Sequence, residues 1–254
     1  MLAASVALAL TAYGPNRLVG VVRNVTFPPG RSQRVIANLT PGFAFDEVIP
    51  SWSIAGEGAI GIEIRVPAIS GGQSRWYSFG TWSADGTWIP RESVKEKGDA
   101  DGGVSTDTFV TKGRPRRCDL RLTLTTKPVT RERPRLKHLS LSFSDTTAPS
   151  VAQEPNRAAW GHFVDVPERA QGNYPRGGVL CSATSTSMLL SYYSQRLNRP
   201  EIDRDVPDVE AGVWDRVYKG AGNWPFNTAY FGAMEGLIGY VTRLDGISDL
   251  ETLT

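Results

Sequence analysis

From Leu18 to Phe143 the chain alternates apolar and polar residues in short runs, broken by Gly, Pro, Asn or Asp at intervals of about ten residues, the spacing that predicts an all-β sandwich. In AIGIEIRV, residues Ile60, Ile62, Ile64 and Val66 fall on one face and Gly61, Glu63 and Arg65 on the other, as a half-buried strand requires. CDLRLTLT groups Cys118, Leu120, Leu122 and Leu124 in the same way, so Cys118 is expected in a core as a small hydrophobe. LKHLSLSF turns Leu139, Leu141 and Phe143 inward and sets His138 outward among Ser140 and Ser142, where a surface histidine is expected. Trp52, Trp76, Trp82 and Trp88 lie in this half; sandwich core is the preferred reading over a sugar-stacking face.

Beyond it the pattern changes. Residues 145–160, DTTAPSVAQEPNRAAW, have no hydrophobic period and read as a linker between a sandwich at 18–144 and a second domain at 161–254. SATSTSMLLSYY does not alternate and runs until Asn198-Arg199-Pro200 stops it, which predicts a helix beginning at or just after Cys181. Asn227 is expected to cap a helix from Thr228 to Glu235, GLIGYVTRL to form a strand, and Ser248-Asp249-Leu250-Glu251 to open a helix as a capping box. The fold class expected is α+β, in two domains.

Charge supports the division. Residues 1–150 carry 19 Lys+Arg against 13 Asp+Glu, and residues 151–254 carry 9 against 13, so the halves are +6 and −4. The basic clusters Arg114 to Arg117 and Arg131 to Arg135 contain proline and no aromatic residue, which fits strand-edge protection and not nucleic-acid binding. No apolar run reaches the ~18 residues of a membrane span. The start, MLAASVALALTAYG, reads either as the remnant of an export signal over residues 1–17, hence a secreted or envelope-associated protein, or as a buried N-terminal segment. Asp99, Asp101 and Asp107 surround a glycine pair, where a plain turn is preferred to a calcium loop.

The candidate chemistry lies in GGVLCSATSTSMLLSYY, Gly177 to Tyr193. A thiol at a helix N-terminus faces unpaired backbone N–H groups, which favour a thiolate, and Gly177 and Gly178 would let a substrate chain approach. On these features alone, nucleophile and inert helix-start cysteine stay open.

VPERAQGNYPRGGVLCSATSTSMLLSYY, VYKGAGNWPFNTAYFG and GYVTRL resemble papain-like cysteine peptidases related to family C-39, and more narrowly exported bacterial proteins that join a β-sandwich to such a domain. IPSW, RWYSFGTW and DADGGVSTDTF resemble the sandwich part. The resemblance implies hydrolysis of peptide bonds in a peptide or protein substrate, without metal or organic cofactor. It places Cys181 as nucleophile and Gln171 as the donor that assists the oxyanion. In GNWPFNTAYFG, Trp224 and Phe226 mark an aromatic loop that either walls a substrate cleft or packs in the core. The imidazole and its Asp or Asn partner would follow the cysteine, yet no histidine follows Cys181. His138 belongs to the sandwich, and His162 precedes the cysteine by 19 residues. The second domain is therefore expected to be incomplete and the 254 residues inactive alone. The alternative is a non-catalytic exported protein whose sandwich binds a cell-envelope polymer or protein.

Overall fold

The protein is described from a computed structural model, which covers residues 8–13, 15–95, 98–130, 133–150 and 153–253. Among the described residues ten strands form two antiparallel sheets. The first contains β1 (Leu8–Tyr13), β2 (Asn16–Thr26), β10 (Arg135–Ser144), β4 (Glu47–Ala55), β8 (Thr108–Thr111) and β7 (Gly102–Ser105), in that spatial order. The second runs β3 (Arg31–Leu39), β9 (Cys118–Thr126), β5 (Gly58–Arg65), β6 (Tyr77–Ser83). Among the described residues helices follow only after the last strand: α1 (Cys181–Arg196), α2 (Val206–Val213), α3 (Trp224–Ala233) and α4 (Ile247–Leu253). Residues 1–7 and 14 of the proposed export remnant lie outside the described residues, as do Arg131 and Glu132 of the second basic cluster.

The period-2 runs become the sandwich core. Ile60, Ile62, Ile64, Leu120, Leu122 and Leu124 are buried, as are Leu139, Leu141 and Phe143, so strand alternation alone set which faces close on each other. Cys118 is buried with them, and burial pushes its thiol well above the ordinary range. Trp52 and Trp82 are core side chains, while Trp76 is half-buried, with the Arg65 and Arg121 guanidinium carbons 4.6 and 4.7 Å from its ring centroid.

The expected surface position of His138 is overturned. Its residue is 2% exposed and its Nε2 lies 2.9 Å from Ser140 Oγ. The polar face of β10 and β4, with Ser51, Ser53, Ser140 and Ser142, is also buried, because the helical half docks there. Val241 N–H donates to Ser51 Oγ (2.8 Å), and Arg243 N–H to Ser142 Oγ (3.4 Å). Lys137, at a register shift of β10 against β4, donates to the carbonyls of Gly232, Met234 and Leu237 at 2.8, 2.7 and 3.3 Å. One ammonium thereby ties the sandwich to backbone at and just after the end of α3, where helix carbonyls run out of intrahelical partners.

The strand expected over GLIGYVTRL is absent. Residues 237–244 join no ladder, since backbone donors of this segment find serine hydroxyls on the sheet face in place of a neighbouring strand. Further ties join the halves. Asp215, fully buried, accepts from the Ser93, Val217 and Tyr218 N–H groups and from Asn223 Nδ2. Arg91 donates to the carbonyls of Ser83, Ala84 and Ala211. Phe226 of α3 meets Trp52 edge-on, ring centroids 6.1 Å apart.

Candidate active site

Cys181 is the first residue of α1 and is exposed, whereas its neighbours Leu180 and Ala183 are buried and anchor that end of the helix. The small hydroxyl residues that follow serve packing. Thr186, Ser187, Ser191 and Ser194 are buried, with Ser187 Oγ donating to the Arg204 carbonyl (2.6 Å) and Thr186 Oγ1 to Asn227 Oδ1 (3.1 Å). Short side chains let α1 approach α2 and α3 closely while hydroxyls meet nearby polar groups.

A tight 3₁₀ turn, Gly177–Val179, leads into the helix, and the Leu180 N–H donates to the Gly177 carbonyl. A second turn, Gln171–Asn173, packs against it. The fit depends on glycine at 177: a Cβ there would lie 2.4 Å from the Gln171 carbonyl oxygen and 3.0 Å from Gly172 Cα. Gly178 has open space instead. The packing of the two turns therefore sets the half-buried Gln171 beside the segment that begins the cysteine helix.

Three side chains pin this loop. Arg169 bonds Ser187 Oγ, the Arg204 carbonyl and Asp203. Tyr174 donates its hydroxyl to Asp205 Oδ1 (2.7 Å), and this hydrogen bond is the main reason the Asp205 carboxyl is held below its usual range. Asp205 also caps α2 through the Val206 N–H. Arg176 pairs with Glu210 (2.7 Å) and lies 4.9 Å from the Trp214 ring centroid. Arg169, Tyr174 and Arg176 carry no local motif that marks them in the sequence; only the fold brings them onto α1 and α2.

The helix expected from Asn227 begins earlier. Asn223 caps α3, accepting from the Phe226 N–H at 3.2 Å, with Pro225 in the first turn. Proline there is the readable signal for the true start. Asn227 is interior, donating to the Ala221 and Asn223 carbonyls. Trp224 is 53% exposed, but Phe226 is fully buried and is a core residue, not a cleft wall. The capping box also differs: α4 already starts at Ile247, and Glu251 accepts from Asn156 N–H and Trp160 Nε1 (each 2.7 Å) instead of turning back to Ser248.

His162 is exposed, and among the described residues no hydrogen bond ties it to Cys181. Asp99 is fully engaged by Tyr77, Arg75 and the Asp101 and Gly102 N–H groups, Asp101 by the Ile69 N–H, and Asp107 by Thr108 and the Trp224 N–H. Among the described residues no group of three His, Cys, Asp or Glu could hold a metal ion, and no helix is long and apolar enough to cross a membrane.

Comparison with known proteins divides the chain where its architecture changes. The family model described as Peptidase C39 N-terminal domain matches residues 33–144, and that of the Peptidase_C39 like family matches residues 163–249. Among curated proteins nothing matches. Similar solved structures include a chain of infectious bursal disease virus Gx strain (14% identity, 54% of this chain and 34% of that one, TM-score 0.23). Another is a glycoside hydrolase family 43 arabinoxylan arabinofuranohydrolase from Bacillus subtilis in complex with cellotetraose (15% identity, 54% and 23%, TM-score 0.21). This chain thus covers well under two thirds of either, and at these TM-scores neither bears on fold or function. The two family matches, one to each architectural half, make this chain a C39-like peptidase by family.

Proposed function

We propose that the helical half is built for thiol-dependent peptide hydrolysis, with Cys181 in the nucleophile position and Gln171 in the oxyanion-donor position. The observation that carries this reading is the contact of Gly177 with the Gln171 carbonyl, which joins the glutamine turn to the turn that opens the cysteine helix. In this chemistry the sulfur attacks a peptide carbonyl and the amine leaves with a proton. The acyl-enzyme is then opened by water, and a donor aimed at the oxyanion contributes about 3 kcal/mol to the barrier reduction.

The same reading makes these 254 residues inactive by themselves. The thiol proton needs a base within hydrogen-bond reach, no histidine follows Cys181, and the two that precede it are His138, buried in the sheet, and the exposed His162. The test is a fluorogenic peptide assay combined with iodoacetamide labelling. No turnover is expected, while Cys181 labels faster than the buried Cys118 by roughly a thousandfold or more, because the latter reacts only when the fold opens. Turnover abolished by both Cys181→Ala and His162→Ala would overturn the missing base. Equal, slow labelling would remove Cys181 as the reactive group.

A further inference from the structure

The outward face of the β3-β9-β5-β6 sheet holds a hollow of about 540 Å³ that neither the fold nor the peptidase chemistry uses. That volume lies within the range of small-ligand sites. One transverse row crosses its floor in strict register: Gln33 opposite Thr123, Thr123 opposite Gly61, and Gly61 opposite Thr81. At ordinary strand spacing the row is about 14 Å long, a straight trough perpendicular to the strands.

Gly61 makes the trough. Glycine in a strand interior is destabilising and often marks a place where a ligand comes close. Nothing in the fold demands it: its φ is not positive, and an added Cβ would meet only Thr123 Cβ at 3.6 Å, the Gly80 carbonyl at 3.7 Å and Thr81 Oγ1 at 3.7 Å, all ordinary contacts. Gly80 on the neighbouring strand is different, with φ +92° and space for a Cβ only 1.9 Å from the Glu92 carbonyl. The irregularity of that strand pair is thus accommodated by Gly80, and Gly61 is left to keep the floor open.

The lining selects a ligand class. Backbone groups of the inner strands β9 and β5 are spent in the ladders, and the floor and rim present side-chain hydroxyls and an amide: Gln33, Ser78, Thr81, Thr123 and Thr125. These offer donors and acceptors together, the complement of a hydroxyl-bearing ligand. On one flank Arg121 and Glu63 satisfy each other in a two-point pair (2.6 and 2.5 Å), backed by the Trp76 ring, and Arg31 is the remaining charged side chain of the lining. Ala59 and Ile89 are the apolar side chains of the lining, so a peptide would find few apolar pockets on this floor. The opposite sheet is covered by the helical half, leaving this as the open face of the sandwich.

We propose that this trough binds an uncharged, linear, hydroxyl-rich glycan laid across the four strands. The proposal does not depend on the peptidase reading, and Cys181→Ala is expected to bind equally well. The test is calorimetric titration of the full chain with cellohexaose, chitohexaose and oligogalacturonate. Binding to at least one of the two neutral oligosaccharides is expected, weakened at least tenfold by Gly61→Val, whose side chain fills the floor while suiting a strand. Thr123→Ala should weaken it about 2- to 12-fold, the equivalent of one hydrogen bond, and decides between binding at this floor and binding elsewhere if Gly61→Val fails to fold. Binding to neither neutral glycan, binding to oligogalacturonate alone, or affinity unchanged in the folded variants would overturn the assignment.

Discussion

The join between the glutamine turn and the cysteine helix can be tested with three alanines. At Gly177 an alanine Cβ would sit 2.4 Å from the Gln171 carbonyl oxygen, a backbone atom, about 1 Å inside ordinary van der Waals contact. Backbone cannot rotate away as a side-chain tip can, so one turn must move off the other. Overpacking of this kind costs about 1–3 kcal/mol, or about 2–12 °C in Tm for a unit of this size. Gly172 and Gly178 provide the controls in the same two turns. Neither has a positive φ, and an added Cβ at either meets nothing within 4 Å. Alanine at those positions should be neutral or stabilise by about 0.4–1 kcal/mol through the unfolded chain. The assay is thermal unfolding of the three variants, with amide exchange of Tyr174, Gly177 and Leu180, whose N–H groups bond within these turns. Faster exchange and a lower Tm in Gly177→Ala alone are expected. Equal Tm values in all three would refute the close packing, and with it the placement of Gln171 beside the start of α1.

Lys137→Met removes the ammonium that holds three carbonyls at the end of α3; urea denaturation should show a loss of about 1.5–3 kcal/mol, with faster amide exchange near residues 232–237, and a loss below ~0.5 kcal/mol would show that the sandwich does not hold α3 by this group. Acid should destabilise the protein in a defined window. The Asp85, Asp99 and Asp205 carboxyls are held below their usual range, chiefly by hydrogen bonds from Thr87, Tyr77 and Tyr174 respectively. Their contribution is complete above the unfolded value of about 4 and is lost as pH falls through the folded values. Asp107, raised by burial, works in the opposite direction. The urea midpoint should therefore hold between pH 7 and 5 and fall below about pH 4; a midpoint that rises on acidification would contradict these hydrogen bonds.

Cys118 and His138 show how far strand alternation can be trusted. Both lie on β strands whose inward faces are legible, and Cys118 is buried where period 2 puts it. Alternation puts His138 on the opposite face, but that face is covered. Period 2 identifies two faces; it cannot say what later packs on the polar one. The same limit explains residues 237–244, whose apolar content suits a strand but whose partners are serine hydroxyls. For α3, Asn223 and Pro225 hold the information about its start, and Asn227 draws attention one turn too late.

Local chemistry alone therefore determined the sandwich strands, the helix start at Cys181 and the family to which both halves are matched, because these depend on periodicity, caps and motifs within a few residues. Tertiary structure decided what lies against what: the Gln171 turn on Gly177, Lys137 under the end of α3, His138 beneath the helical half, and a glycine-floored trough across four strands. Each of these joins residues far apart in the chain or on separate elements, and their meeting depends on sheet register and on the docking of one half against the other.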